Sequence, residues 1–591
     1  MAIRIKATTV DCWAFALALF LIVALRLLLI DAFPYGFGHP DTGDYGHPVT
    51  RFLQGGPFVP EPIRVMGTYA YFLIAVAMTM GATTFSVMLV QHVMGVVTAY
   101  LLGLLMRKLT GSARLGILTM LLVGLLPRGL MYEHIILAET TYLFLTILLA
   151  LLALHFVRSS PRWIEPALGV IAGLMILGRG QGIIAVPLGL LILATPYYHR
   201  TLGLRFIQRM VRLFCLFFLP ILALTLSYVY LNIRGNDFPG LSANAAYSLY
   251  TAGVSNLTDY ESPKYAASKN ILRECVALSN TRFDGRAEWA LTEPLCGPAV
   301  GQVIAQFHGR WRFIEAELGG LAREAILTHP VAFLYRVAWN LRDFFWGRPG
   351  LLKTIDLRDL LFRDPVWMEQ KVIEIDRQKT ERIRDMGVPP LQGDHRFGLD
   401  RLASLYSASG SDASATAFSS ILNWLSYLAN CRTYLVGTLL LMALCWAHPL
   451  ENRFFILWML GLTLGQVVLT EVPVNALYDR YYVPIEPFQV IFWLLAIRGI
   501  ARLSQADRRG FARLVLLLLM VATVTFQIAV RLPLAWFPNL DHPILNMAEA
   551  KVQMMTRYVF SWSAMLIAVV LSGAWYLHRP ARQGAARRAS A

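Results

Sequence analysis

The sequence predicts an all-α polytopic membrane protein, and three observations carry that prediction. Of 591 residues, 56% are hydrophobic and only 15% charged, whereas a soluble domain is nearer a quarter charged. Mean hydropathy is +0.52, which excludes disorder, collagen and a disulfide-rich secreted scaffold. Lys and Arg exceed Asp and Glu to give a net charge of +16, and that excess follows the ends of the apolar runs.

A bilayer core needs about 20 mostly apolar residues per helix. Windows of that kind run at 13–31, 85–106, 115–131, 138–157, 164–178, 182–196, 211–231, 433–447, 454–470, 482–498, 513–530 and 559–577. This gives about twelve transmembrane helices. The windows 164–178 and 182–196 are short and read as a hairpin meeting at Gly178-Arg179-Gly180-Gln181-Gly182. The apolar segment 66–82 abuts the next window without a polar loop and reads as interfacial or half-inserted. Arg4 and Lys6 precede the first run in the manner of a signal peptide. No small-x-small cleavage site follows, so the run reads as a retained first helix.

With Met1 on the cytoplasmic side, the inside segments hold 21 Lys and Arg against four acids, Asp11, Glu165, Glu451 and Asp507. The positive-inside rule sets this orientation. It also accounts for the basic charge without nucleic acid. The expected domains are a transmembrane module over 1–231, an extracytoplasmic and mostly helical domain over 232–415, a second transmembrane module over 416–578 and a basic tail over 579–591. Within the outside domain, 353–401 alternates acids and bases as solvated helices do, and 407–416 reads as a linker. Residues 417–430, with Trp424 and Tyr427, read as interfacial. Cys275 and Cys296 both fall in the outside domain, where a bridge between them is expected to survive. The other four cysteines, Cys12, Cys215, Cys431 and Cys445, read as small apolar fillers, and no spacing reads as zinc.

Polar residues at the outer rim are the candidates for chemistry, since burying them in a membrane needs a reason. The first outside loop reads His39-Pro40-Asp41-Thr42-Gly43-Asp44-Tyr45-Gly46-His47. Two carboxylates and two imidazoles there suit a general base. Pro, Asp, Thr and Gly also close turns, and the spacing leaves both readings open. A divalent cation held by His39, Asp41, Asp44 and His47 is the lesser reading, because hard cations want more oxygen ligands. Arg64 and Tyr69 stand at the mouth of the half-inserted segment. Tyr132, Glu133, His134 and Glu139 occupy the next outside turn. Glu139 opens an apolar span, so it either faces a wet cavity or complements the helix dipole. Arg179 and Gln181 tip the hairpin, and Arg480 and Tyr481 precede Pro484, Glu486 and Pro487. The ionisable residues are therefore expected at the rim. Arginine's fixed fork suits phosphate, so acids facing Arg64, Arg179 and Arg480 suit group transfer from a lipid-linked phosphate.

At this point the chain resembles the GT-C superfamily of integral membrane glycosyltransferases, nearest to bacterial enzymes similar to protein O-mannosyltransferases and aminoarabinose transferases. The resemblance is clearest over 13–200. It rests on Asp41 followed by Tyr45, on Arg64, Gly67 and Tyr69, on Ala138-Glu139-Thr140, on Leu177-Gly178-Arg179-Gly180-Gln181-Gly182, and on Arg480-Tyr481 ahead of Pro484 and Pro487. Many relatives carry adjacent acids in the first loop, whereas Asp41 and Asp44 are three apart here. Asp41 holds the family position ahead of the tyrosine. Relatives often carry Arg-Pro at the hairpin, where this chain has Arg179-Gly180.

The resemblance implies a GT-C-like bundle of about twelve helices. It also implies inverting transfer of a sugar from a polyprenyl-phosphate carrier, in membrane lipid, to an acceptor hydroxyl on a glycolipid, glycan or protein. The site would face the periplasm from a bacterial cytoplasmic membrane. In that scheme Asp41, with Asp44 as its alternate, is the base. Arg480, Arg64 and Arg179 bind the donor phosphate, while Tyr45, Tyr69, Glu139, Gln181 and Tyr481 contact substrate. Two alternatives remain. A lipid-linked glycan flippase would need charge near mid-membrane and internal pseudo-symmetry, and an O-antigen ligase or polymerase would use a diphosphate-linked donor.

Overall fold

The computed structural model describes residues 9–32, 36, 42–62, 67–159, 161, 163–195, 204–282, 297–308, 310–334, 337, 437–442, 444–445, 452–471 and 483–506. These are helical, with no β-strand among the described residues. They divide into one compact unit drawn from 1–435 and 454–491 and another from 436–453 and 492–591.

The first unit opens with α1 (Thr9–Ala32), an amphipathic α2 (Thr42–Leu53) and α3 (Gly67–Met80). At 1.5 Å per residue, α3 covers roughly 21 Å, too short to cross a core of about 30 Å alone. Next come α4 (Thr84–Thr110), α5 (Ala113–Gly124), α6 (Pro127–His134) and α7 (Glu139–Ser159). α8 (Ile164–Gly178), a 3-10 turn (Gly180–Ile184) and α9 (Ala185–Ala194) form the expected hairpin, and α10 (Leu204–Asn236) follows. Among the described residues, four stretches are long and apolar enough to cross a membrane: Asp11–Asp31, Thr84–Thr110, Glu139–Ser159 and Phe214–Asn236.

The local chemistry fixes the breaks. Thr83 caps α4 by accepting from the Ser86 amide, and Gly111 ends it in the left-handed region at φ 71°. α5 then runs back along α4 with the two backbones in close approach. A Cβ on Gly103 would lie 2.7 Å from the Gly116 carbonyl oxygen, and one on Gly116 2.8 Å from that of Gly103. Small residues allow this packing where both surfaces are apolar. The expected span over 115–131 is corrected to two helices. α5 stops at Gly124, and Pro127, which lacks an amide hydrogen, takes the first position of α6.

Basic residues gather at one end of the bundle. There Arg158 donates to the Lys108 carbonyl at 2.5 Å, Arg114 lies 3.7 Å from Asp11, and Arg212 lies 3.7 Å from Glu165. The opposite end is marked by the start of α7 at Glu139 and the close of α8 at Gly178. α10 reaches that end and ties down the chain around it. Asn236 donates to the Pro60 carbonyl at 2.8 Å, the Ala243 amide to the Pro62 carbonyl at 2.8 Å, and Asn232 to the Gly240 carbonyl at 2.8 Å.

Beyond α10 lie α11 (Asn244–Ser248), α12 (Ala266–Arg282), α13 (Gly297–Gln306) and α14 (Trp311–Thr328). They share a core of Tyr250, Leu272, Val303, Ile314, Leu318 and Leu321. Within it Lys269, with no exposed side-chain surface, donates to Glu324 at 2.8 Å. α15 (Arg453–Glu471) packs on α9, where Trp458 donates to the Leu188 carbonyl at 2.7 Å. α16 (Glu486–Ala506) begins in this unit and continues into the second, where Gly437 packs closely on Trp493. The acid–base stretch 353–401, the linker 407–416, the interfacial segment 417–430, the windows 513–530 and 559–577, and the Cys275–Cys296 bridge lie outside the described residues.

Candidate active site

Two hydrogen-bonded groups occupy the Glu139 end. The first joins α2, α3, α7 and the hairpin. Glu139, at the start of α7, is 1% exposed. It receives a hydrogen bond from Arg179 at 2.8 Å, and both side chains are nearly sealed from solvent. The second Glu139 oxygen and the Tyr142 hydroxyl are buried with no hydrogen-bond partner among the described residues. A Cβ on Gly178 would lie 3.5 Å from the Tyr142 ring and 3.8 Å from Thr68 Cβ, so the hairpin tip sits against α7 and α3. Tyr45 meets Tyr69 edge to face at 5.1 Å between centroids. Both Tyr45 and Glu139 lie within electrostatic range of Tyr69.

Hydrogen bonds hold these elements in register. The Tyr69 hydroxyl donates to Gln91 Oε1 at 2.7 Å, and Gln91 Nε2 donates to the Glu133 and Ile135 carbonyls at 2.9 and 2.8 Å. Thr42, the first residue of α2, donates to the Ile136 carbonyl at 2.9 Å. Thr68 donates to the Leu174 carbonyl at 2.6 Å and Thr140 to the Tyr132 carbonyl at 3.0 Å.

Of the residues singled out from sequence, the structure brings Tyr45, Tyr69, Glu139 and Arg179 together. Asp44, half-buried, precedes Tyr45 in the first turn of α2, and Gln181, buried, follows Arg179 in the 3-10 turn. Asp41, Arg64, Arg480 and Tyr481 lie outside the described residues. Their described neighbours in sequence are Thr42, Gly67 and Val483. Among the described residues no cluster of His, Cys, Asp and Glu could hold a metal ion. His39 and Asp41 of the alternative cation site lie outside them.

The second group joins Glu133 and His134, noted in the sequence, to two residues that were not, Arg26 and His92. Arg26, inside the apolar α1, grips Glu133 with two bonds, Nε to Oε2 at 2.8 Å and Nη2 to Oε1 at 2.7 Å. Its remaining nitrogen donates to the Ile22 and Gly124 carbonyls at 3.1 and 3.0 Å. His92, inside α4, meets Glu133 Oε2 through Nδ1 at 2.8 Å and His134 Nδ1 through Nε2 at 2.7 Å. Burial pushes the Glu133 carboxyl up. The Arg26 charge and the His92 hydrogen bond outweigh that and hold it below the ordinary carboxylate range. Room for the carboxylate comes from Gly95, where any side chain would occupy its place. A small cavity beside the pair is lined in part by Arg26, Thr98, Glu133, Thr140 and Glu486. The missed signal is an arginine and a histidine placed singly in apolar spans, where an ionisable group marks function by default.

Residues 67–224 match the family model described as dolichyl-phosphate-mannose-protein mannosyltransferase, a stretch that includes α3 to α9, Glu139 and Arg179. The chain's long apolar helices are those of a membrane protein. The chain is also similar to the Archaeoglobus fulgidus oligosaccharyltransferase in its apo form, at 12% identity and a TM-score of 0.40. That similarity covers 87% of this chain and 55% of the other, so the chain spans about half the length of that protein. No curated protein sequence matches the chain.

Proposed function

We propose that the protein is an inverting glycosyltransferase that moves a sugar from a polyprenyl-phosphate carrier to an acceptor hydroxyl at the outer face of a bacterial cytoplasmic membrane. The observation that carries this reading is the largely buried Arg179–Glu139 pair, at 2.8 Å, beside the tyrosines of the acid-bearing α2 and of α3. A guanidinium largely withdrawn from water, as Arg179 is at 10% exposure, keeps much of its electrostatic value for a phosphate that gains charge as it leaves.

In this scheme the carboxylate of Asp41, or of Asp44, takes the proton of the acceptor hydroxyl. The hydroxyl oxygen attacks the anomeric carbon, and the bond to the carrier oxygen breaks with its electron pair going to the phosphate. One in-line displacement inverts the anomeric centre. Arg179, with Arg64 and Arg480, receives the phosphate charge, while Glu139 orients the Arg179 fork. Its second oxygen and the Tyr142 hydroxyl are placed to read sugar hydroxyls. Losing one such phosphate donor costs about 3–4 kcal/mol, a hundredfold or more in rate.

The test uses the full chain in liposomes with undecaprenyl-phosphate-linked mannose, glucose or aminoarabinose. Mass spectrometry of envelope glycolipids and glycoproteins from a deletion strain names the acceptor. Asp41→Asn and Asp44→Asn are then compared with wild type. The proposal predicts that one of them loses about 100-fold or more in rate while keeping its elution profile and thermal midpoint. Wild-type rates in both variants, or transfer from diphosphate-linked donors only, would overturn it.

A further inference from the structure

α4 carries a polar stripe in which Gln91 and His92 are followed by Gly95 and Thr98, a spacing that puts them on one face of the helix. Gln91 is bonded to the Tyr69 hydroxyl and to the Glu133 and Ile135 carbonyls. His92 meets Glu133 and His134, and Gly95 leaves room for the Glu133 carboxylate. Thr98, one turn further along, is 3% exposed, and its hydroxyl has no hydrogen-bond partner among the described residues. Other threonines in apolar helices of this chain behave differently. Thr110, Thr119, Thr146 and Thr225 each donate to the carbonyl four residues earlier, at 2.8, 2.8, 2.9 and 2.8 Å. Thr98 has the Met94 carbonyl at the same offset, yet its hydroxyl is not bonded there.

Thr98 instead lines the cavity beside the Arg26–Glu133 pair, together with Thr140, Val483 and Glu486. The cavity measures about 20 Å³, which is room for one water and for nothing larger. Acceptors are at hand. Glu133 Oε2 meets both Arg26 and His92, whereas Oε1 meets Arg26 alone. A carboxylate oxygen has two lone pairs, so Oε1 keeps one. Thr140 gives its hydrogen to the Tyr132 carbonyl at 3.0 Å, which leaves its oxygen as an acceptor. One donor and two acceptors on the wall of a one-water space match the bonding that internal waters adopt. A cation fits worse, because the Arg26 guanidinium lines the same wall and hard cations want more oxygens. Among the described residues no cluster could hold a metal ion.

We infer that this cavity is the binding site of one structural water, which accepts from the Thr98 hydroxyl and donates to Glu133 Oε1 and to the Thr140 hydroxyl oxygen. Thr140 is the neighbour of Glu139 in the first turn of α7. Through it the water ties the start of α7 to the Arg26–Glu133 pair and to α4, and so connects the two hydrogen-bonded groups at this end of the bundle. With Val483 and Glu486 on the same wall, it also lies against the start of α16. The inference involves no substrate and stands apart from the glycosyl-transfer reading.

The test begins with Thr98→Val in the full chain, which exchanges the hydroxyl for a methyl of the same shape. A water that loses its donor should lower the thermal midpoint by about 2–4 °C. A hydroxyl buried without a partner predicts the reverse, since removing it leaves the midpoint unchanged or raises it, and that result overturns the inference. A double-mutant cycle of Thr98→Val with Thr140→Val then asks whether the two side chains hold the same molecule. The shared water predicts a combined loss clearly smaller than the sum of the single losses. Thr146→Val, whose hydroxyl is bonded within its own helix, should add to Thr98→Val in full. Additive losses for Thr98 and Thr140 would overturn the inference. Exchanging sodium and potassium for choline at constant ionic strength should leave the midpoint in place, and a cation-specific shift would give the cavity to an ion instead. If a variant does not fold, a cryo-electron microscopy map that resolves ordered water decides alone. The expected result is one peak at about 2.7–3.0 Å from Thr98 Oγ1 and Glu133 Oε1. No peak there, or a Thr98 hydroxyl turned onto the Met94 carbonyl, would sink the inference.

Discussion

Replacing Gly95 with alanine probes the central buried network with a single methyl group. The Cβ would fall inside the space of Glu133 Oε1 and 2.7 Å from Oε2. A carboxylate at the end of a free side chain would swing aside at little cost. This one is pinned by Arg26 at 2.7 and 2.8 Å and by His92 at 2.8 Å, and its backbone carbonyl is held by Gln91 at 2.9 Å. Moving it breaks a forked ion pair and leaves a buried guanidinium without its counter-charge, which costs about 3–5 kcal/mol. Taking roughly 2–4 °C per kcal/mol, the thermal midpoint of detergent-solubilised protein should fall by about 6 °C or more. Fluorescence-detected size exclusion after heating measures it. Gly129→Ala is the control, since a Cβ there meets nothing within 4 Å although Gly129 lies in the same α6 and borders the same cavity. An unchanged midpoint in Gly95→Ala, or an equal loss in Gly129→Ala, would refute the reasoning.

Other outcomes follow from the same structure. Arg179→Lys keeps a positive charge near Glu139 but loses the fork, so kcat should fall about 100-fold with the thermal midpoint nearly unchanged; a wild-type kcat would remove Arg179 from phosphate binding. Glu133 titrates below its ordinary range, so its contribution to stability is present above the unfolded value and is lost as pH falls through the folded one. The midpoint should therefore hold from about pH 8 to 5 and fall below about pH 4, with a smaller acid-side fall in Glu133→Gln. In the helices that follow α10, Lys269→Met strands Glu324 and should cost about 3 kcal/mol. Lys269→Met with Glu324→Leu should recover most of that, as a double-mutant cycle would measure.

What the sequence disclosed and what it withheld have physical causes. The span opening at Glu139, the hairpin at Gly178–Gly182 and the short α3 were legible because each is a local matter of apolar length and glycine placement. The break at Pro127 was not, since the apolar composition runs on through it and only the missing proline amide marks the stop. Arg26 and His92 were passed over because a window average over about 20 residues absorbs one ionisable group. Glu133 and His134 were noticed as rim residues, but their partners lie 107 and 42 positions away, at Arg26 and His92. No spacing rule reaches that far. The likeness of the hairpin and of Ala138-Glu139-Thr140 to GT-C sequences pointed to Arg179 and Glu139 one by one. Their direct pairing appeared only in three dimensions.

The most direct test of the account is a cryo-electron microscopy structure of the full chain with an undecaprenyl-phosphate sugar bound. The account predicts the phosphate within hydrogen-bonding distance of Arg179, with Asp41 or Asp44 on the opposite side of the anomeric carbon. A phosphate bound instead at the Arg107–Arg158 end of the bundle, or a sugar facing away from α2, would contradict it.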